Sequence, residues 1–369
     1  QANSPRLTTK NCNRKYYIVL THKIEVKHKK EYMTKTIQSK EMNDVLTSLF
    51  SKYGFTDEKA KLLAGVHTEN TLHGVNSHGI NRVPFFIEQL KLGLIIKDVE
   101  PEKVESFGCI ERWDGKLGSG VINAIKCTNR AIEIAKENGM GLVALRNTNH
   151  WMRAGYYGWM MAKQNCIGIL FTNTEPNMPA WGGKEARLGN NPLVISISRK
   201  KGHIVLDMAM TQFSFGKMNE YKLHKKSLPF DGGWDTNGDL TKKPEEILTT
   251  KSGLPIGYWK GSALSMVLDI LATLLSAGKS TYQLGLEPHE HGVSQVYLCI
   301  DPSTYNDLDL QEKLTEEIIA YTKDITPTEP NGKTYYPGER SLINKIKNQK
   351  EGMKVSEEVW AKIIELINK

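Results

Sequence analysis

The sequence lacks both of the glycine-rich motifs that mark the common nucleotide-binding folds. The nearest match to G-x-G-x-x-G is GKLGSGVINA, in which Gly118 and Gly120 have the correct spacing but Asn123 stands in place of the third glycine. No apolar strand is predicted directly before this segment, although the motif requires one. The P-loop pattern G-x-x-x-x-G-K-S/T is also absent. These absences argue against an ordinary Rossmann fold and against a P-loop fold.

Cysteine pairs and long hydrophobic runs are absent as well. The five cysteines (Cys12, Cys109, Cys127, Cys166 and Cys299) form no C-x-x-C pair, which argues against a disulfide framework or a structural zinc site and favours a reducing cytoplasm. Within residues 1–32 the longest apolar run, YYIVL, is too short for a signal peptide or a membrane span. We therefore expect a cytoplasmic globular protein with no membrane partner.

Most of the positive charge lies at the N-terminus. Residues 1–32 contain eight Lys and Arg and two Glu, so they carry +6 of the net charge of +8. Because the rest of the chain is nearly neutral, we expect no nucleic-acid partner despite the pI near 9.0. Met33 has the character of a natural start, so we interpret residues 1–32 as a disordered upstream extension. A basic transit-like segment is the alternative.

Apolar periodicity predicts helices at both ends of the remaining chain and strands in its middle. Residues 33–74 have a helical pattern, with Ser39 and Thr56 as expected N-caps and Gly54 at the end of the first helix. Short apolar runs between Cys109 and Thr211 predict the strands of a central sheet. These runs are GLVALRN, CIGILFTNT, NPLVISIS and HIVLDMAM.

Other segments complete an α/β (α+β) prediction. A helix is expected over residues 122–138, and a buried helix over residues 260–276, which are apolar on most faces. SQVYLCID predicts one more strand, and Ser356 is expected to open the last helix.

The segment NSHGINRVP places Ser77, His78 and Arg82 within six residues. Pro84 fits the first turn of a helix, and Asn81 is its expected N-cap. Arg82 then lies at the positive end of the helix dipole, where a cation is disfavoured unless an anion binds beside it. A surface arginine beside an ordinary histidine is the alternative interpretation.

A second histidine, His150, follows the predicted strand GLVALRN at its carboxyl end, a common ligand position in α/β sheets. The polar turns in TNT and LGNNP could present donors to a phosphate or ribose, although turn chemistry alone also explains them. In HEHG, His289 and His291 are spaced for a metal, but a third ligand is missing. We interpret HEHG as a solvated loop and predict no metal site.

Taken in order, several long motifs closely resemble the malate/L-lactate/ureidoglycolate dehydrogenase superfamily, which lacks a Rossmann fold. These are NSHGINR, RNTNHWMRAG, PAWGGKEARLGNNPL, VLDMAM, LPIGYWKGSALSMVLDIL and YYPGER, and the resemblance covers roughly residues 34–366. Within it, NHWMRAGYYGW, MPAWGGKE and LPFDGGWD resemble the branch that reduces 2,3-diketo-L-gulonate.

The resemblance implies an NAD(P)H-dependent reductase of α-keto acids that forms a homodimer. It implies a mostly antiparallel or mixed sheet in a cofactor domain at residues 111–260. A mainly helical domain for substrate and dimerisation would come from both chain ends, at residues 33–110 and 261–369.

The resemblance also assigns roles to residues. His78 matches the histidine that supplies the proton, Arg82 matches the arginine that binds the substrate carboxylate, and His150 matches a second active-site histidine that is the acid/base in some relatives. Ser77 is expected beside the substrate. The segments matching cofactor contacts are His203, Ile204, Val205, Leu206, Asp207, Met208 and Ala209; Trp259 and Lys260; and Gly338, Glu339 and Arg340. NADH is the expected coenzyme, but GNNP in place of GTNP and DMAMT in place of DMATS leave NADPH open.

This chemistry accounts for the crowded NSHGINRVP segment. Reduction of a 2-keto acid needs a proton at the carbonyl oxygen, which a histidine can supply, while an arginine holds the planar carboxylate through two hydrogen bonds. The resemblance implies that the substrate is 2,3-diketo-L-gulonate and the product 3-keto-L-gulonate. The alternatives are malate, lactate or ureidoglycolate dehydrogenase activity, or a nucleotide-binding module without catalysis.

Overall fold

Helices and strands alternate through the computed structural model, which describes residues 33–305, 307–330 and 332–369. The prediction for residues 1–32 lies outside the described residues. The helices are α1 (Ser39–Lys52), α2 (Asp57–Leu72), α3 (Val83–Lys91), α4 (Gly120–Asn138), α5 (Gly155–Lys163), α6 (Phe215–Leu223), α7 (Pro244–Thr250), α8 (Trp259–Ser276), α9 (Thr281–Leu284), α10 (Leu308–Lys323), α11 (Glu339–Glu351) and α12 (Glu357–Asn368). The strands are β1 (Thr34–Ile37), β2 (Glu102–Phe107), β3 (Ile110–Asp114), β4 (Met140–Thr148), β5 (Ile167–Thr172), β6 (Met178–Pro179), β7 (Ala186–Leu188), β8 (Leu193–Ile197), β9 (Ile204–Met208), β10 (Gly233–Trp234), β11 (Leu240–Thr241), β12 (Val293–Ile300) and β13 (Met353–Ser356).

The central sheet has seven strands in the order β2-β3-β4-β12-β5-β8-β9. Only β3 and β4 pair in parallel, and α4 crosses between them; the other neighbours pair antiparallel. This arrangement confirms the predicted mixed, mostly antiparallel sheet. The strand that leads into GKLGSGVINA is β3, whose sequence IERWD is mostly polar, so the segment does not follow the apolar strand that the dinucleotide motif requires.

The central sheet extends beyond the domain boundaries predicted near residues 110 and 260. β2 and β12 both belong to it, although they lie in segments assigned to the helical domain. β12 is buried along most of its length and pairs with β4 on one side and β5 on the other, so the sheet would be split without it. Residues Met33–Lys369 form one compact unit, and their division into two domains stays a prediction.

The helical part joins both ends of the described chain, as predicted. β1 pairs antiparallel with β13, with Thr34 opposite Ser356. One hydrophobic core contains Phe50 and Phe86 from the early helices together with Trp360 and Ile363 from α12. This core supports the loop that follows α2.

Two of the predicted N-caps are confirmed and two are wrong. The hydroxyls of Thr56 and Ser356 accept hydrogen bonds from backbone N–H groups in the first turns of α2 and α12. Ser39 is instead the first helical residue of α1, because the extended residue after β1 is Gln38. Asn81 lies inside a short 3-10 helix, Ile80–Arg82, so Arg82 precedes α3 without any side-chain cap.

The prediction of a buried α8 is wrong for one face of that helix. Its small residues and Leu268 are buried on the sheet side. Its opposite face exposes five large apolar side chains: Met266, Val267, Ile270, Leu271 and Leu274. Among the described residues, no helix combines the length and hydropathy needed to cross a membrane.

Candidate active site

The loop carrying Ser77, His78 and Arg82 is fixed by its contacts with α2. It consists of two short 3-10 helices, Asn76–His78 and Ile80–Arg82. Asn70 Nδ2 donates to the His78 carbonyl at 3.1 Å, and His67 Nδ1 lies 3.0 Å from the Gly79 carbonyl. A Cβ at Gly79 would overlap the Thr71 hydroxyl. Glycine therefore allows the backbone between the histidine and the arginine to approach α2 closely.

His150 is held just beyond the end of β4. The preceding residue, Asn149, is buried, and its Nδ2 donates to the carbonyls of Leu94, Leu117 and Gly118 at 2.9–3.0 Å. The Met152 backbone N–H donates to His150 Nδ1 at 3.0 Å. Because Nδ1 accepts this bond, neutral His150 carries its proton on Nε2.

The structure brings His78 and His150 together as a stacked pair. Their ring centroids are 5.8 Å apart with planes inclined by 17°. Burial and the charges of Arg82 and Arg153 lower the pKa of His78 to about 3. Burial, Arg82 and His78 hold the pKa of His150 well below its usual value. Both imidazoles are therefore neutral at pH 7 in the free protein, and Ser77 Oγ lies 3.1 Å from His78 Nδ1.

The Arg82 guanidinium is available for an anion. It lies 4.2 Å above the ring of Phe85, and its buried Nε has no hydrogen-bond partner among the described residues. Burial lowers the pKa of Arg82, while the charges of Glu290 and Glu175 raise it. An unpaired buried donor costs about 1–3 kcal/mol, so a bound carboxylate would recover free energy here.

Arg82 and the histidine pair line a cavity of about 380 Å³, which we call the arginine cavity. A second and larger space of about 670 Å³, the strand cleft, lies along β9. The two spaces share five lining residues: His78, His150, Thr174, Asn190 and Ser214. The polar turns TNT and LGNNP thus contribute Thr174 and Asn190 to the junction where the histidines lie.

One acidic residue of the arginine cavity was missed by sequence reasoning. The sequence predicts a solvated loop at HEHG, and His289 is exposed, but Glu290 is only partly exposed and lines the cavity. Burial raises the pKa of Glu290 to about 7, with a further rise from Glu175, although Arg82 and a hydrogen bond from the Glu175 N–H at 2.8 Å oppose it. No local pattern distinguishes this glutamate from a surface one.

The predicted cofactor segments are only partly brought together. Val205, Leu206, Asp207, Met208, Ala209 and Gly338 line the strand cleft, as does Ser77. Ile204 is not among the lining residues, and His203 lies in a different cavity, beside Trp159. Glu339 accepts from Lys323 and Arg340 lies over Tyr335, so neither faces the cleft. Trp259 and Lys260 are exposed at the start of α8, outside the cleft lining.

The strand cleft has the donors and acceptors that a dinucleotide requires. Ala154 and Gly338 precede α5 and α11 without side-chain caps, and both line the cleft, so the positive ends of two helix dipoles lie beside it. Arg153, which sequence reasoning missed, adds a cation and bonds Asp207 at 3.4 Å and Ser341 at 3.1 Å. The Asp207 carboxylate can accept ribose hydroxyls. A pyrophosphate and a ribose therefore fit the residues present.

Among the described residues, no three or more His, Cys, Asp and Glu side chains are grouped as metal ligands. The described cysteines, Cys109, Cys127, Cys166 and Cys299, are free thiols.

The chain matches known oxidoreductases over most of its length. The family model for malate/L-lactate dehydrogenase matches residues 37–364. A 2,3-diketo-L-gulonate reductase of Escherichia coli O1:K1 is 42% identical over 311 residues, covering 84% of this chain and 93% of the relative. The structure resembles malate dehydrogenase from Entamoeba histolytica (TM-score 0.87, 25% identity, 91% of this chain and 99% of that one). It also resembles sulfolactate dehydrogenase from Methanocaldococcus jannaschii (TM-score 0.80, 30% identity, 90% and 97%).

Proposed function

Because this chain belongs to the malate/L-lactate dehydrogenase family and is an oxidoreductase of keto or hydroxy acids, we propose that it reduces 2,3-diketo-L-gulonate to 3-keto-L-gulonate. The identity to the reductase of Escherichia coli O1:K1 supports this choice of substrate. The observation that carries the proposal is the junction of the two spaces at His78 and His150. An acid bound to Arg82 in the arginine cavity can place its carbonyl beside both the histidines and the strand cleft.

In the proposed mechanism, Arg82 binds the substrate carboxylate and fixes which face of the ketone is presented to the cleft. Asp207 and Arg153 of the strand cleft would hold a nicotinamide coenzyme, which would supply the hydride that the carbonyl carbon accepts. His78 supplies the proton to the carbonyl oxygen, which completes the alcohol. His150, oriented by the Met152 N–H, donates a hydrogen bond from Nε2 to the same oxygen.

Substrate binding also prepares the proton donor. Burial is the first cause of the low pKa of His78, and the charges of Arg82 and Arg153 lower it further. A bound carboxylate neutralises the charge of Arg82, so the pKa of His78 rises when the keto acid arrives. The protonated form of His78 is therefore reached more readily in the complex than in the free protein.

NADH is the proposed coenzyme, held by Asp207, Arg153 and the starts of α5 and α11. A carboxylate such as Asp207 accepts ribose hydroxyls and repels an added phosphate, which favours NADH over NADPH. Comparing kcat/KM for the two coenzymes at one substrate concentration tests this preference.

We also propose a cytoplasmic homodimer formed through the exposed apolar face of α8. Five large apolar side chains are exposed on this face of the helix, and an apolar patch of this kind marks an interaction surface. A second copy of the chain would cover it.

A panel of keto acids tests the proposed reaction. With NADH, kcat/KM for 2,3-diketo-L-gulonate should exceed that for pyruvate, oxaloacetate and ureido acids. A preference for oxaloacetate or pyruvate would contradict the substrate assignment. Binding of NADH without turnover of any acid would indicate a nucleotide-binding module.

Single alanine variants separate the two histidines. His78→Ala should lower kcat on the order of 10²–10⁴-fold with a modest change in KM, the usual size of a general-acid contribution. His150→Ala should lower kcat less and leave the pH profile of kcat unchanged. The reverse result would make His150 the proton donor.

A further inference from the structure

The arginine cavity contains a carboxylate that the proposed mechanism does not use. Glu290 lines the cavity with Arg82 and the histidine pair. Its Oε2 accepts from the Glu175 backbone N–H at 2.8 Å, which fixes the direction of the side chain. Its Oε1 has no hydrogen-bond partner among the described residues. The cavity therefore contains a carboxylate oxygen that nothing in the described chain satisfies, in addition to the unpartnered amide oxygens of Gln89 and Asn177.

The other charged groups of the cavity leave Glu290 without an ion-pair partner in the described chain. Glu175 forms an ion pair with Lys251, with Oε2 and Nζ 3.1 Å apart. Glu88 lines the same cavity but is exposed, so solvent screens its charge. Arg82 interacts with Glu290 only through space, since no ion pair joins these two residues. When Arg82 binds a substrate carboxylate, Glu290 loses part of its charge compensation, and the remaining cation, Lys251, is already paired with Glu175.

We propose that Glu290 determines substrate specificity: it accepts a hydroxyl group from the chain beyond the reacting carbonyl and rejects keto acids that carry a second anionic group. This inference rests on the proposed function, because it takes Arg82 as the site of the carboxylate and the histidine pair as the site of the carbonyl.

Once the substrate carboxylate lies at Arg82 and its carbonyl lies at the histidine pair, the rest of the substrate can extend in only one direction. The strand cleft is reserved for the dinucleotide, so the remaining carbons must extend within the arginine cavity, where Glu290, Asn177 and Asn219 offer polar atoms. A neutral, hydroxylated chain can satisfy Oε1 of Glu290. A second carboxylate or a sulfonate would meet a like charge in a partly desolvated space, where repulsion is much stronger than in water.

The proposed substrate of this chain differs from the acids named for its structural neighbours in the number of acidic groups. Malate and sulfolactate, after which two of these neighbours are named, each carry two acidic groups. 2,3-Diketo-L-gulonate carries one carboxylate and a hydroxylated tail. A glutamate in this position favours the second type of acid.

The test uses two keto acids of equal length, oxaloacetate with two carboxylates and 2-oxobutyrate with one. At pH 8, where Glu290 is ionised, the wild-type enzyme should prefer 2-oxobutyrate. In Glu290→Gln, kcat/KM for oxaloacetate relative to 2-oxobutyrate should rise on the order of tenfold. Glu290→Leu should show the same rise and should also raise KM for 2,3-diketo-L-gulonate several-fold, because leucine cannot accept the hydroxyl.

Glu88→Gln is the matched control, because it removes a charge from the exposed edge of the same cavity and should change the ratio much less. An unchanged ratio in Glu290→Gln, with normal reduction of 2,3-diketo-L-gulonate, would overturn the role of Glu290 and leave the proposed function standing. If the wild type reduced no keto acid, the proposed function would fail. Calorimetric dissociation constants for the same two acids would still decide whether Glu290 rejects the second charge.

Discussion

Among single residues, Arg82 has the widest influence because its charge acts on both histidines. It contributes to the low pKa of His78 and of His150 while its own Nε lacks a partner in the described chain. A carboxylate that pairs with Arg82 neutralises its charge and therefore also changes the pKa values of His78 and His150. This coupling makes the protonation of the site measurable without turnover.

We predict that binding of oxamate, an unreactive analogue of a 2-keto acid, is accompanied by proton uptake. Burial, and then the charges of Arg82 and Arg153, hold the pKa of His78 at about 3. Neutralising Arg82 raises this pKa, so the complex binds more protons than the free protein, and oxamate affinity falls as pH rises from about 3 to the raised pKa and is constant above it. Calorimetry in two buffers with different ionisation enthalpies measures the uptake.

Arg82→Lys is the control for this prediction. An ammonium group keeps the charge but not the paired hydrogen bonds, so binding should weaken strongly while some proton uptake remains. Equal heats in both buffers for the wild type would show that the histidines do not respond to the ligand.

Glu290 should reduce stability in the free protein. Its folded pKa of about 7 lies above the ordinary value of 4.5, so its protonated form favours folding, and this contribution is lost as pH rises from about 4.5 through 7. Glu290→Gln should therefore raise Tm at pH 8, with the difference closing near pH 4.5. Thermal unfolding of both proteins at several pH values measures the effect. Glu88→Gln should leave Tm nearly constant at each pH.

Local patterns in the sequence singled out two candidate residues. Arg82 stood out because a cation at a helix start is unfavourable, and His150 because it follows a strand; the roles of both, and of His78, were implied by the family resemblance. Glu290 and Arg153 break no such rule, and they matter because distant segments bring them beside Arg82 and Asp207. A short stretch of sequence does not show which distant charged residues will lie next to one another in the fold.

Among the elements, β12 and α8 show that apolar periodicity predicts the type of an element but not its neighbours in the fold. The run SQVYLCID identified β12 as a strand, but its central position between β4 and β5 depends on pairing with segments far away in the chain. The apolar character of α8 was also evident. Which face the sheet would cover was not, because that choice depends on the small residues that allow close packing.

The exposed face of α8 leads to a prediction about assembly. Leu274 is 68% exposed on this face, and replacing it by glutamate would place a charge in the proposed interface. Leu274→Glu should shift the protein to a monomer at micromolar concentration, as measured by light scattering after gel filtration. Leu240→Glu is the control, because this leucine is 50% exposed on the small hairpin of β10 and β11. Equal masses for wild type and both variants would contradict an interface at α8.

At the scale of the whole chain, most of the net positive charge and the folded unit lie in different segments. Residues Met33–Lys369 form a compact unit with its own cores, and the family match lies within residues 37–364. Residues 1–32 hold +6 of the net +8. The basic pI therefore reflects the N-terminal segment and carries no information about the site.

Deleting residues 1–32 should accordingly change electrostatics and leave catalysis intact. We expect kcat/KM for the keto acid within about twofold of the full chain and a similar Tm, because every residue of the candidate site lies in Met33–Lys369. Retention on heparin should fall, since the remaining chain is nearly neutral. Steady-state assays, thermal unfolding and salt elution compare the two proteins directly. Loss of folding or of activity in the shorter chain would show that the N-terminal segment belongs to the working enzyme, and unchanged heparin retention would place the basic surface within residues 33–369.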